Sequence, residues 1–267
     1  MNSYPILIIA QKEVLTHLKN YWVVLVACLI LIMNIAITGI LGTFFSTELD
    51  PRAILLSLIH LHMYIIPLVA LILSCDSILK ERELGTLELF YAYPLQSYAL
   101  VMGKWLGHNI ILFMVIVIGL LPISYHLYQL EVLLTHIIGF ILLIFALGAV
   151  FNSLGLLLSM LVKERALAML VSIIVWLFFV FLFDLGFVTI TIMTDGKISP
   201  QLLGGLLLLD PVEAFRISAI MYLLPVDAVE IFSLNNGMLQ LSTSIVATLL
   251  WIFAPLAYLC YKSNNHG

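Results

Sequence analysis

The chain has 267 residues, of which 63% are hydrophobic and 10% charged, and its formal net charge is −4. Soluble domains carry about 25% charged residues, so a water-exposed surface here would show apolar patches that soluble monomers do not tolerate, and lipid is the expected solvent. A negative balance without a basic tract excludes nucleic-acid binding, and Cys28, Cys75 and Cys260 form neither a C-x-x-C pair nor a disulfide-scaffold spacing.

The first element covers residues 4–20. At about 100° per residue, Leu7, Ala10, Val14, Leu15 and Leu18 gather on one side and Lys12, Glu13, Thr16, Lys19 and Asn20 on the other. This predicts an amphipathic helix lying in the membrane interface; the alternative is an extension of the first span. The segment has no apolar signal-peptide core, so the first span is expected to stay uncleaved. Apolar stretches long enough to cross the hydrocarbon core follow at residues 22–44, 54–75, 106–128, 132–161, 166–187 and 239–261. They predict an all-α polytopic membrane protein with six transmembrane helices and both ends on one side.

Sorting the basic residues by side puts Lys12, Lys19, Lys80, Arg82, Lys104, Lys163, Arg165 and Lys262 with the termini and Arg52, Lys197 and Arg216 opposite. That asymmetry predicts cytoplasmic termini. The acidic residues divide the other way, so the outer face is the acidic one.

The connection over residues 76–104 holds Asp76, Lys80, Glu81, Arg82, Glu83, Glu88 and Lys104. Asp76 and Lys80 stand at i,i+4, so the second helix is expected to continue to Leu84 with these two side chains facing each other. Gly85 suits the left-handed position past a helix end. Thr86 can cap a new helix, Glu88 lies in its first turn, and Pro94 stops it. The result is a short, nearly all-apolar helix over residues 87–93, and such a helix asks for a partner groove.

Span interiors are nearly free of ionisable groups. His108 and His136 lie near span ends, Asp184 lies toward the outer end of the fifth span, and Asn34 and Asn152 read first as interhelical hydrogen bonders. The small residues Gly39, Gly42, Ala146, Gly148 and Gly155 allow close helix approach within or between chains. Of His60, Leu61, His62 and Met63, His60 and Met63 share a helical face, which makes them weak metal candidates; interfacial packing is the plainer reading.

Residues 188–238 form a long outer region before the last span. Its interrupted apolar stretches predict short helices dipping toward the bundle, with breaks at Gly204-Gly205, Pro211 and Pro225. Asp210 reads as an N-cap, Pro211 as the first helical residue, and Glu213 as placed to reach back in a capping box. The functional alternative makes Asp210, Pro211, Glu213 and Arg216 part of an extracytoplasmic gate or partner contact.

No hydrolase, zinc-protease or Walker motif occurs, so the chain is read as no enzyme. The pattern D-x-x-x-x-E-x-E-x-G-T-L, formed by Asp76, Glu81, Glu83, Gly85, Thr86 and Leu87 and followed by Pro94 and Gly103-Lys104, resembles the cytoplasmic loop of ABC-2-type transporter permeases. The run from Lys163 to Ala166, Trp176, Asp184-Leu185 and the run from Leu209 to Arg216 are similar to the branch of that family serving nitrous-oxide reductase maturation. The chain departs from that pattern at Gln96, Ser97 and Tyr98, where a basic residue commonly follows the proline and serine.

The resemblance implies a permease of the bacterial inner membrane working as a homodimer. It implies a coupling helix that docks into a separate cytoplasmic ATPase, with ATP and Mg on that partner and no cofactor on this chain. It further implies a periplasmic solenoid partner and a role in copper-sulfur site assembly. Two other classes compete. A secondary transporter would show inverted repeats, and an intramembrane enzyme would need a nucleophile with a base or paired carboxylates at membrane depth. Neither pattern is visible in the sequence.

Overall fold

The computed structural model describes residues 4–44, 51–85, 98–194, 200–224 and 237–265. Among these residues every regular element is helical. This is the expected outcome for apolar segments in lipid, where each backbone N–H and C=O must be satisfied within its own helix.

Helix α1 (Tyr4–Leu18) meets α2 (Tyr21–Phe44) at 72°. Next come α3 (Pro51–Ser74), the short α4 (Ser77–Glu83), α5 (Tyr98–Gln129) and α6 (Leu134–Leu161). The fifth span is compound: α7 (Arg165–Leu177) passes through a π-turn at Phe178–Leu182 into α8 (Phe183–Met193). Two short helices, α9 (Pro200–Leu207) and α10 (Pro211–Leu223), precede the last span, α11 (Gly237–Asn265). Five helical stretches have the length and apolarity to cross a membrane, and the bent pair α1 and α2 raises this to six. At 1.5 Å per residue α2 alone runs about 36 Å.

Helix α6 is the hub, packed against α3, α5, α10 and α11, while α1 and α2 both lie on α5. Small residues set the closest approaches. A side chain at Gly148 would strike Leu112 and Ile66, and one at Gly155 would strike Ser74, so these two glycines serve contacts within the chain. Asn34 in α2 donates to the carbonyl of Gly119 in α5 at 3.0 Å, an interhelical bond of the kind its place in an apolar span suggests. The fifth span differs from the rest: 17% of its most apolar window is buried within the chain, against 33–56% for the other four helical spans.

Three local expectations are corrected. Glu13 does not lie on an open polar face of α1, because α1 presses Ile9, Ala10 and Glu13 into a groove at Gly103 and Gly107 of α5. Gly204 and Gly205 lie inside α9 rather than at a break. The helix continues past a turn at Cys75 and Asp76 through α4, the two together forming one stretch over Pro51–Glu83, but the Asp76 carboxylate turns to Arg165 rather than to Lys80.

Candidate coupling site at the elbow end

The bend between α1 and α2 marks one end of the bundle, called here the elbow end. The turn after α3, all of α4, the start of α5 and the connection from α6 to α7 meet there. The local cause is an unusual start to α4. Its N-cap, Asp76, makes no side-chain cap bond. The hydroxyl of Ser159, near the end of α6, instead accepts from the backbone N–H of Ile78 at 2.8 Å and of Leu79 at 3.2 Å. Asp76 is thereby free to take the Arg165 guanidinium at 2.6 Å, and Glu83 lies 3.6 Å from the same group. Arg82 donates to the carbonyl of Val162 at 3.3 Å. Gly85 closes the segment at φ +67°, the left-handed conformation that favours glycine at this position.

A second ionic group ties α4 and α5 to α1. Lys104, 2% exposed, donates to Glu13 Oε1 at 2.5 Å and to Glu81 Oε1 at 3.3 Å, and Lys12 reaches Glu81 at 3.1 Å. Two carboxylates and two ammonium groups balance, which is the condition for burying charge at all. His17 and His108 flank Glu13 with ring centroids 5.1 Å apart, and burial lowers the His17 pKa. A cavity of about 600 Å³ opens beside the group, lined by Glu13, His17, Asp76, Glu81, Lys104 and Arg165 among others.

Of the residues singled out in the sequence, Asp76, Glu81, Arg82, Glu83 and Gly85 all gather here. Thr86, Leu87, Glu88 and Pro94 lie outside the described residues. Glu13, His17, Lys104, His108, Ser159 and Arg165 were not singled out as site residues. One signal for the first four is present in the sequence: Gly103 and Gly107 stand four apart on one helical face, a small-residue groove able to seat α1.

At the opposite end, Asp210 caps α10 by accepting from the N–H of Val212 at 2.9 Å, with Pro211 at the helix start. Glu213 does not reach back as a capping-box partner. It turns to Arg216, whose Nη2 lies at 2.6 Å, one turn along the helix. Burial raises the Asp210 pKa to about 8 and the Glu213 pKa to about 7. The structure does not gather His60 and Met63 into one site: His60 is exposed with Nδ1 on the Leu56 carbonyl, while Met63 is 1% exposed in the core.

The sequence matches the family model described as ABC-2 family transporter protein over residues 7–263. It is 34% identical over 219 residues to a protein of Pseudomonas aeruginosa named probable ABC transporter permease protein NosY, covering 78% of this chain and 79% of the relative. A protein of Stutzerimonas stutzeri with the same name is 33% identical over 218 residues, with the same coverage. These matches and the six-span helical bundle agree: the chain belongs to the ABC-2 family of transporter permeases.

Proposed function

We propose that this chain is the membrane subunit of a transporter driven in trans by a cytoplasmic ATPase, that two copies form the transport unit, and that the transported species, a sulfur species or related factor, serves assembly of the copper-sulfur site of a periplasmic nitrous-oxide reductase. The elbow end faces the cytoplasm in this reading, which the excess of lysine and arginine on that side supports. ATP and Mg are held by the partner chain. A periplasmic solenoid subunit of the NosD kind meets the opposite end, where Asp210, Pro211, Glu213 and Arg216 form the gate or the contact.

The observation that carries this reading is the ionic seating of both flanks of residues 86–97. Glu81 stands before that segment and Lys104 after it, and Lys104 joins both to Glu13 on α1. Asp76 and Glu83 tie the leading flank to Arg165 at the head of the fifth span. A push on the segment by a closing ATPase therefore reaches α1, α4, α5 and α7 together, rather than bending one loop. The fifth span, little buried within the chain, leaves an apolar face for a second copy.

The test is co-purification with a Walker-motif ATPase, which this reading expects to be encoded beside this chain. Deleting residues 87–93 should abolish association while the permease still reaches the membrane, and Glu83→Ala should weaken it. Reductase from cells carrying the deletion should lack the absorption of its copper-sulfur centre. Unchanged association would overturn the coupling assignment. Lost association with a normal reductase centre would overturn the cargo assignment and leave an ABC-2 permease for another substrate.

A further inference from the structure

The groups around Glu13 present a donor set that the ion pairs do not use. Lys104 occupies Oε1 of Glu13, while Oε2 lies 3.7 Å from Nε2 of His17 and 3.8 Å from Nε2 of His108. One ligand atom from each of the three residues falls within 4.8 Å of the other two. His108 is fully buried, and neither of its ring nitrogens has a hydrogen-bond partner. Leaving a buried polar atom without a partner destabilises the fold, so a ligand that engages it is favoured. We propose that Glu13, His17 and His108 form a binding site for a divalent transition-metal ion of borderline softness, such as Zn²⁺, and that the ion pins α1 to α5.

The chemistry fits two imidazoles and a carboxylate, the donor set that suits zinc, cobalt and nickel. Tetrahedral bonds of about 2.0–2.1 Å place donors about 3.3–3.4 Å apart, so Glu13 Oε2 must close by about 0.4 Å on each imidazole, and the two imidazole nitrogens, within 4.8 Å of each other, by up to about 1.5 Å. Asn152, whose Oδ1 lacks a hydrogen-bond partner, adjoins the His108 ring. A bond from His108 Nδ1–H to Asn152 Oδ1 would fix the tautomer that ligates through Nε2, the usual role of a group behind a metal-bound histidine. Glu13 and His17 line the cavity at the elbow end, which gives the ion a route in and leaves a coordination position for water. The Lys104 ammonium opposes a second cation nearby and limits the affinity. The site rests on α1 and α5 alone and stands whether or not residues 87–93 dock an ATPase.

The experiment uses the full chain in detergent micelles, purified without a polyhistidine tag, stripped with EDTA and titrated with Co²⁺. The expected result is one Co²⁺ per chain, seen by its visible d–d absorption and displaced by Zn²⁺. His17→Ala and His108→Ala should each weaken binding by at least about tenfold, the scale on which even supporting groups affect metal sites. Lys104→Met should tighten it several-fold, an effect that adventitious surface binding would not show. If His108→Ala fails to fold, His17→Ala, at the half-buried edge of the group, decides the matter. No saturable absorption band, or equal affinity in His17→Ala and the parent chain, would overturn the proposal.

Discussion

Replacing Lys104 with Met tests whether the elbow end is held by buried charge. The ammonium lies 2.5 Å from Glu13 and 3.3 Å from Glu81, and the three side chains are 2%, 10% and 8% exposed. At an effective dielectric of about 20, the two contacts have gross Coulomb energies of about 7 and 5 kcal/mol. Desolvation of the ions offsets most of this, so the measurable loss is that of breaking a buried pair by removing one partner, about 3–5 kcal/mol. Glu81 keeps Lys12, but Glu13 is left as a buried carboxylate without a cation. Lys12→Met, whose side chain is 54% exposed, should lose no more than about 1 kcal/mol. The double variant Glu13→Gln with Lys104→Met removes both charges and should be more stable than the sum of its parts, by about 2–3 kcal/mol. The assay is denaturation in mixed micelles followed by helical circular dichroism, with EDTA present. Equal losses for Lys12→Met and Lys104→Met, or a coupling under about 0.5 kcal/mol, would refute the reasoning.

Three further outcomes are expected. A side chain at Gly107 meets Glu13 Cβ at 2.6 Å and the Ala10 carbonyl at 3.0 Å, so Gly107→Leu should lift α1 off α5 and speed tryptic cleavage after Lys19; an unchanged cleavage rate would show that α1 is not seated there. Ser159→Ala strands two N–H groups of α4 at about 1–3 kcal/mol each unless water reaches them, and hydrogen exchange at Ile78 and Leu79 should rise while that of α6 stays slow. Burial holds protons on Asp210 up to about pH 8 and on Glu213 up to about pH 7, whereas the unfolded chain releases them near pH 4. The folded form thus binds more protons in that window, so this contribution is full below about pH 4, declines as pH rises and is gone above about pH 8. Asp210→Asn keeps the cap and should flatten the decline; a denaturation series with the same slope in both chains would place the Asp210 titration in the ordinary carboxylate range.

The six-span helical architecture is legible in the sequence because its causes are local. Unbroken apolar runs of sufficient length have few alternatives in lipid, and Gly85 marks a helix end by its own conformational freedom. The site is less legible because its partners are remote. By periodicity Glu13 belongs on the polar side of α1; it is buried because Gly103 and Gly107 let the helix approach and because Lys104, 91 positions away, neutralises it. Asp76 has a plausible partner at i+4, yet a longer-range arginine takes it. Glu213 has the spacing of a capping box, but Arg216 offers a full charge one turn away, where the backbone offers only an N–H. For Glu13 and Asp76 a local rule names one environment and tertiary structure supplies a stronger partner, while for Glu213 one local bond outcompetes another.

The capping of α4 by Ser159 also bears on how the protein is made. The serine follows Ile78 by 81 residues. At about 5–20 residues per second, α4 waits about 4–16 s after its own synthesis before its N-terminal amides have an acceptor. Arg165 arrives later still, 89 residues after Asp76. The elbow end is therefore completed only once the fourth span has entered the membrane and the fifth has begun. A ribosome stalled between the third and fourth spans should leave a chain whose early helices are inserted but whose α4 remains uncapped.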